Sequence, residues 1–217
     1  MRVLLPLLAF LPTIGCGGAA YSYSGYWTAD HFPIDDDWIW EYSNEDEIFN
    51  ILATTNDRTK DGSTEIVTID YTNKDTGSML YMIKWSSDKD DGVLVHGYYV
   101  EEPLAGQDDS DATTGEWVKF SSPVELASRQ MSPKDSITTT VDGITYESTF
   151  EAFDTCENEW VGEEWQCMRI VVSSDAEFAA PFEGTWNWAS EWGTSSFQPT
   201  DSSFAWKLVG QPDFEAN

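Results

Sequence analysis

The chain has 217 residues and carries 39 Asp and Glu against 11 Lys and Arg, a formal net charge of −28. A net charge this acidic argues against nucleic acid as a partner, because phosphates need Lys and Arg, and equally against peripheral binding to anionic lipid headgroups. Hydrophobic residues make up 41% and aromatic residues 14%, too apolar for a disordered acidic chain and enough for one domain with a real core.

Met1 and Arg2 are followed by Val3–Ile14, almost wholly apolar, and then by Gly15 and Cys16. The run is shorter than the roughly 20 residues that span a bilayer, and Pro6 and Pro12 would weaken a helix there. It reads as an export signal. Thr13-Ile14-Gly15-Cys16 resembles the lipobox of bacterial lipoproteins, with Thr13 where that family usually has Leu. The resemblance implies a signal peptide over 1–15 and a lipidated Cys16 as the new N-terminus. It also implies an outer-membrane address, since Gly17 stands where an Asp would imply inner-membrane retention. Acyl chains hold a protein on a membrane at about 0.8 kcal/mol per buried CH2, without a spanning helix. The alternative is an ordinary signal cut after Ala20 and a secreted product. Residues 16–30 read as a flexible tether, 31–210 as the domain, and 211–217 as a frayed polar tail.

From His31 onward the pattern is strands and turns. Asp37–Tyr42 alternates bulky residues. Thr64–Tyr71 has period 2, with Val67, Ile69 and Tyr71 on one face. Ser78–Trp85 and Gly92–Val100 are rich in β-branched and aromatic residues. The separators contain Asp61-Gly62, Gly77 and Asp91-Gly92, and Gly accepts the positive φ of hairpin turns. Glu102–Gly115 is an acidic loop, Glu116–Phe120 resumes the pattern, and Ser121-Ser122-Pro123 is expected to end it. Val124–Gln130 is the best candidate for a short helix or irregular segment. Ser136–Val141, Ile144–Phe153, Trp165–Val172, Gly184–Trp192 and Ser203–Val209 read as further strands, the first two joined at Asp142-Gly143.

Roughly ten strands with short connections and no long amphipathic helix predict an all-β antiparallel domain. A curved, partly open sheet or barrel suits a meander best, and a two-sheet sandwich is the alternative. His31-Phe32-Pro33 followed by Trp38-Ile39-Trp40-Glu41-Tyr42 resembles the opening of β-rich bacterial envelope lipoproteins. Asp91–Leu94 and Phe120–Pro123 fit later parts of that pattern. The resemblance implies an envelope lipoprotein and no activity.

With Cys16 set aside, Cys156 and Cys167 remain, and an even pair in an exported chain predicts a disulfide. It would close a loop of about a dozen residues and contribute roughly 3 kcal/mol. No motif implies a cofactor. Asp57-x-Thr59-x-Asp61-Gly62 starts like a calcium loop but has Thr68 where the bidentate Glu is needed, and Asp108-Asp109-Ser110-Asp111 lacks the required Gly. Both read as solvated turn acids, so no metal is expected. The chain has only two histidines, His31 and His96, and no Gly-x-Ser-x-Gly elbow. No catalytic constellation is recognisable, and the expectation is a non-enzyme.

Eleven tryptophans are the unusual feature. Trp186 and Trp188 share one face of a strand, and Trp192 joins them if alternation persists. Three readings follow: core packing, an exposed platform for a glycan, or a greasy cavity for an apolar ligand. The expected function is a lipid-anchored, non-catalytic envelope protein with a structural, interaction or apolar-ligand role. A carbohydrate-binding module is the alternative, and a hydrolase the lesser one.

Overall fold

The computed structural model describes residues 26–34, 38–44, 49–101, 115–156, 166–190, 192–200, 205–209 and 213–214. The leader, the lipobox with Cys16, and the acidic run Asp108–Asp111 lie outside the described residues. The first strands are β1 (Tyr26–Trp27), β2 (Trp38–Ser43), β3 (Ile51–Asp61), β4 (Thr64–Asn73), β5 (Met79–Asp88), β6 (Gly92–Val100) and β7 (Trp117–Ala127). They are followed by β8 (Gln130–Met131), β9 (Ser136–Val141), β10 (Ile144–Thr155), β11 (Gln166–Ser174), β12 (Gly184–Ala189), β13 (Gly193–Pro199), β14 (Trp206–Leu208) and β15 (Asp213–Phe214).

The expected meander is the architecture. Along the sheet the order is β7-β6-β5-β4-β3-β2-β14-β13-β12-β11-β10-β9, every pair antiparallel. Apart from the β2–β14 join, neighbours in space are neighbours in sequence. The sheet therefore curls into an up-and-down barrel that is nearly closed. Its seam lies between β7 and β9, where side chains bridge in place of a backbone ladder. Ser121 N donates to Asp142 Oδ2 at 3.0 Å and Glu125 N to Thr139 Oγ1 at 3.4 Å. The Ser148 hydroxyl donates to the Leu126 carbonyl across the same line.

Four expectations need correction. Val124–Gln130 is not helical: Val124–Ala127 completes β7, paired with β6 through Val95↔Val124 and Val93↔Ala127. The strand runs past Pro123 because β7 bulges there. The register passes from Gly97↔Lys119 to Val95↔Val124, leaving Pro123 where no ladder N–H is required. Second, β3 and β13 are strands that the sequence reading left out. Third, the end of the supposed tether is folded. Tyr26–Trp27 pairs with Gln130–Met131, and the 3-10 turn Thr28–Asp30 follows, with Thr28 Oγ1 donating to Ser128 O at 2.8 Å. Fourth, Asp213–Phe214 of the expected tail pairs with β2.

Hairpin chemistry follows the glycines. Asp142 and Gly143 have φ of 52° and 87°, the double positive φ of a type I′ turn. Cys156 and Cys167 form a disulfide at the β10–β11 end, sequence separation 11.

A round barrel of twelve strands would leave a lumen. Here the two halves, β2–β7 and β9–β14, press together and rings fill the middle. Trp85 of β5 meets Trp186 of β12 at 5.7 Å between ring centroids, and Tyr71 of β4 meets Phe197 of β13 at 6.3 Å. Phe32 enters from the N-terminal turn and lies 4.8 Å from Trp85 and 4.9 Å from Trp188. Each such ring stabilises the fold by about 1.5–3 kcal/mol through burial, plus about 0.5–1.5 kcal/mol for ring–ring geometry.

Candidate functional site

The inward positions hold the tryptophans that sequence reasoning offered as a ligand platform. Trp186 is 1% exposed and Trp188 fully buried. Trp186 stacks on Phe197 at 5.0 Å and its indole N–H donates to Phe182 O at 2.8 Å. Trp192 does not join them. Its N–H donates to Ala189 O in the turn before Gly193, which breaks the alternation, and it packs against the core. An exposed Trp186–Trp188–Trp192 face is thus replaced by core packing, because these strands turn their bulky side toward β4 and β5.

The void among these central rings is too small for an apolar ligand. The void between Phe32, Trp40, Tyr42, Ile69, Tyr71 and Thr194 measures about 10 Å³, room for at most one water. Drug-sized ligands occupy roughly 300–1,000 Å³.

His96 and Ser86 come together on the outside of the first half, His96 Nε2 to Ser86 Oγ 2.8 Å. Burial pushes the His96 imidazole below its usual pKa; Asp61 acts upward and Lys84 downward. Ser86 is 1% exposed, and a nucleophile must reach its substrate, so the pair serves as a satisfied polar contact. The Asp57–Gly62 segment forms the end of β3 and its hairpin. Among the described residues no three His, Cys, Asp or Glu side chains cluster to hold a metal.

The largest opening among these sites is a polar groove of about 480 Å³ on the outer face of the second half. It is built by register. Arg169 of β11 pairs with Asn187 of β12, Asn187 with Ser196 of β13, and Ser196 with Lys207 of β14. One unbroken row therefore runs across four strands, its ends about 14 Å apart at the usual strand spacing. Thr185 and Gln198 form the adjacent paired row. Arg169 is held by two acids, Nε to Glu151 Oε2 at 3.2 Å and Nη1 to Asp154 Oδ2 at 3.5 Å. Asn187 Nδ2 donates to Ser196 Oγ at 2.9 Å. The lining offers amides, hydroxyls and fixed charges of both signs, suited to hydrogen-bonding a hydroxyl-rich ligand rather than to moving a proton. None of these residues was singled out from sequence, because the row exists only once β13 is placed between β12 and β14.

Comparison with protein-family models, with curated proteins and with solved structures returns no match for this chain.

Proposed function

We propose that the chain is a lipid-anchored, non-catalytic binding module of the bacterial envelope, acting through the outside of a solid barrel. The observation that carries the binding side is the polar groove of about 480 Å³ on the outer face. The void among the central rings, about 10 Å³, holds no drug-sized ligand, whereas the groove lines its space with amides, hydroxyls and charges of both signs. The anchoring side rests on the leader and Cys16, and a barrel that begins at Tyr26 would sit close to the membrane. The groove's amides and hydroxyls favour the carbohydrate reading over the apolar-ligand one.

Two measurements test this. Radioactive palmitate should label the wild type and not Cys16→Ser; equal labelling of the variant overturns the anchor. The apolar probe N-phenyl-1-naphthylamine should gain no fluorescence with the folded protein, and stoichiometric enhancement would restore an apolar chamber.

A further inference from the structure

The opposite outer face, on β5–β7, carries a different surface. Trp117 is 42% exposed. It pairs across β6–β7 with Tyr99, ring centroids 5.8 Å apart, and Tyr99 pairs in turn with Met82. Tyr99 donates its hydroxyl to Glu101. One row along the sheet, Lys84 pairs with Gly97 and Gly97 with Lys119.

Gly97 is required there. Its φ is 155°, and a Cβ would lie 2.5 Å from Val118 O. The glycine leaves a notch between the two lysines, whose strands are about 10 Å apart. Lys84 reaches across it, its ammonium 4.6 Å from the centre of the Trp117 ring.

Acids outnumber bases 39 to 11, and Arg58, Lys74, Lys89 and Arg169 all pair with carboxylates. Lys84 and Lys119 form no ion pair among the described residues, and they flank the exposed indole. Two cations with no ion pair among the described residues, beside a flat ring, complement a ligand that brings its own carboxylates.

From this juxtaposition we propose that the Trp117–Tyr99 face binds an anionic saccharide. A sugar ring packs against the indole, and its carboxylates are received by the ammonium groups of Lys84 and Lys119 across the Gly97 notch. This site is separate from the polar groove and does not depend on the anchor. Apolar sugar faces suit an aromatic plane, and the lysines give the preference for acidic over neutral chains.

The test is calorimetric titration of the purified domain with hexamers of galacturonate and of mannuronate, at low salt with a chelator present, against a neutral glucan hexamer. At least one uronate should bind and the glucan should bind at least tenfold more weakly. Trp117→Ala and the double variant Lys84→Ala/Lys119→Ala should each weaken binding at least tenfold, with far-ultraviolet circular dichroism unchanged. Raising salt to about 0.5 M should weaken the wild type and leave the double-lysine variant nearly unmoved. Failure of both uronates to bind overturns the proposal, as does binding indifferent to either variant or equal binding of the glucan. Palmitate labelling of Cys16 is unaffected by any of these outcomes, so the two readings fail separately.

Discussion

Trp186 and Trp117 stand on the same sheet, on opposite halves and opposite faces. Trp186 is 1% exposed, stacked on Phe197 and tied to a carbonyl. Trp117 is 42% exposed, touched by Tyr99 and by the ammonium of Lys84. The difference lies in what the partner strands present. Across the barrel β12 meets β5 with Trp85. On the outside, β7 meets a glycine on β6 and a lysine on β5. Trp186 therefore belongs to stability and Trp117, on the proposal above, to recognition, and each half of that statement can be broken by substitution.

The largest effect is expected from Trp186→Ala. Removing a fully enclosed indole leaves a cavity among Trp85, Phe182 and Phe197 that a packed barrel cannot collapse, at a cost of about 3–5 kcal/mol. Urea unfolding of the two proteins measures it, and a loss under about 1 kcal/mol would mean that Trp186 is not core.

Gly97→Val should come next, at about 2–4 kcal/mol by the same measurement, because the new side chain meets the Val118 carbonyl and an unfavourable φ. It would also fill the outer-face notch between Lys84 and Lys119. A neutral substitution would show that the β6–β7 bulge is slack.

How far the sequence led is clear from particular strands. The expected limits Gly92–Val100 and Ser136–Val141 coincide with β6 and β9, because alternation marks each run and an Asp-Gly turn fixes one end of each, Asp91-Gly92 before β6 and Asp142-Gly143 after β9. That Val67, Ile69 and Tyr71 share one face was likewise readable from period 2, and the structure turns that face inward. β13, Gly193–Pro199, was not readable. Its buried positions include Gly193, Thr194 and Ser195, small or polar residues made acceptable by flanking strands. In Val124–Ala127 the helix-forming Glu, Leu and Ala were overruled by pairing with β6. The groove row and the Trp117 face share one obstacle. Each is assembled from strands distant in sequence, and register cannot be read one strand at a time. Tryptophan spacing showed which rings share a face, but not which face looks inward.

A smaller effect belongs to His96, beside the outer lysine row. Its folded pKa lies below the unfolded value, chiefly through burial, with Asp61 opposing and Lys84 assisting. The folded state therefore resists protonation more than the unfolded state does. The contribution is intact above the unfolded pKa and is lost as pH falls through about 6.5 toward the lower folded value. Urea midpoints at about pH 7 and about pH 5 should drop more for the wild type than for His96→Asn. Equal drops would show that Ser86 and its neighbours hold the imidazole in either charge state.

The smallest stability effect is expected from Trp117→Ala, and its smallness is the point. The indole is exposed, so little area returns to water on truncation, and surface changes usually stay within about 0.5 kcal/mol. The Lys84 contact adds about 0.5–1 kcal/mol at an exposed site, so the total should stay near or below about 1 kcal/mol in urea unfolding. Lys84→Ala in the Trp117→Ala background should then cost nothing further, since the cation–π contact is already gone. A loss of several kcal/mol would make Trp117 a second core tryptophan and erase the contrast with Trp186. A near-neutral result leaves an exposed ring that the fold does not need, beside two lysines with no ion pair among the described residues, and the uronate titration then decides whether that surface binds.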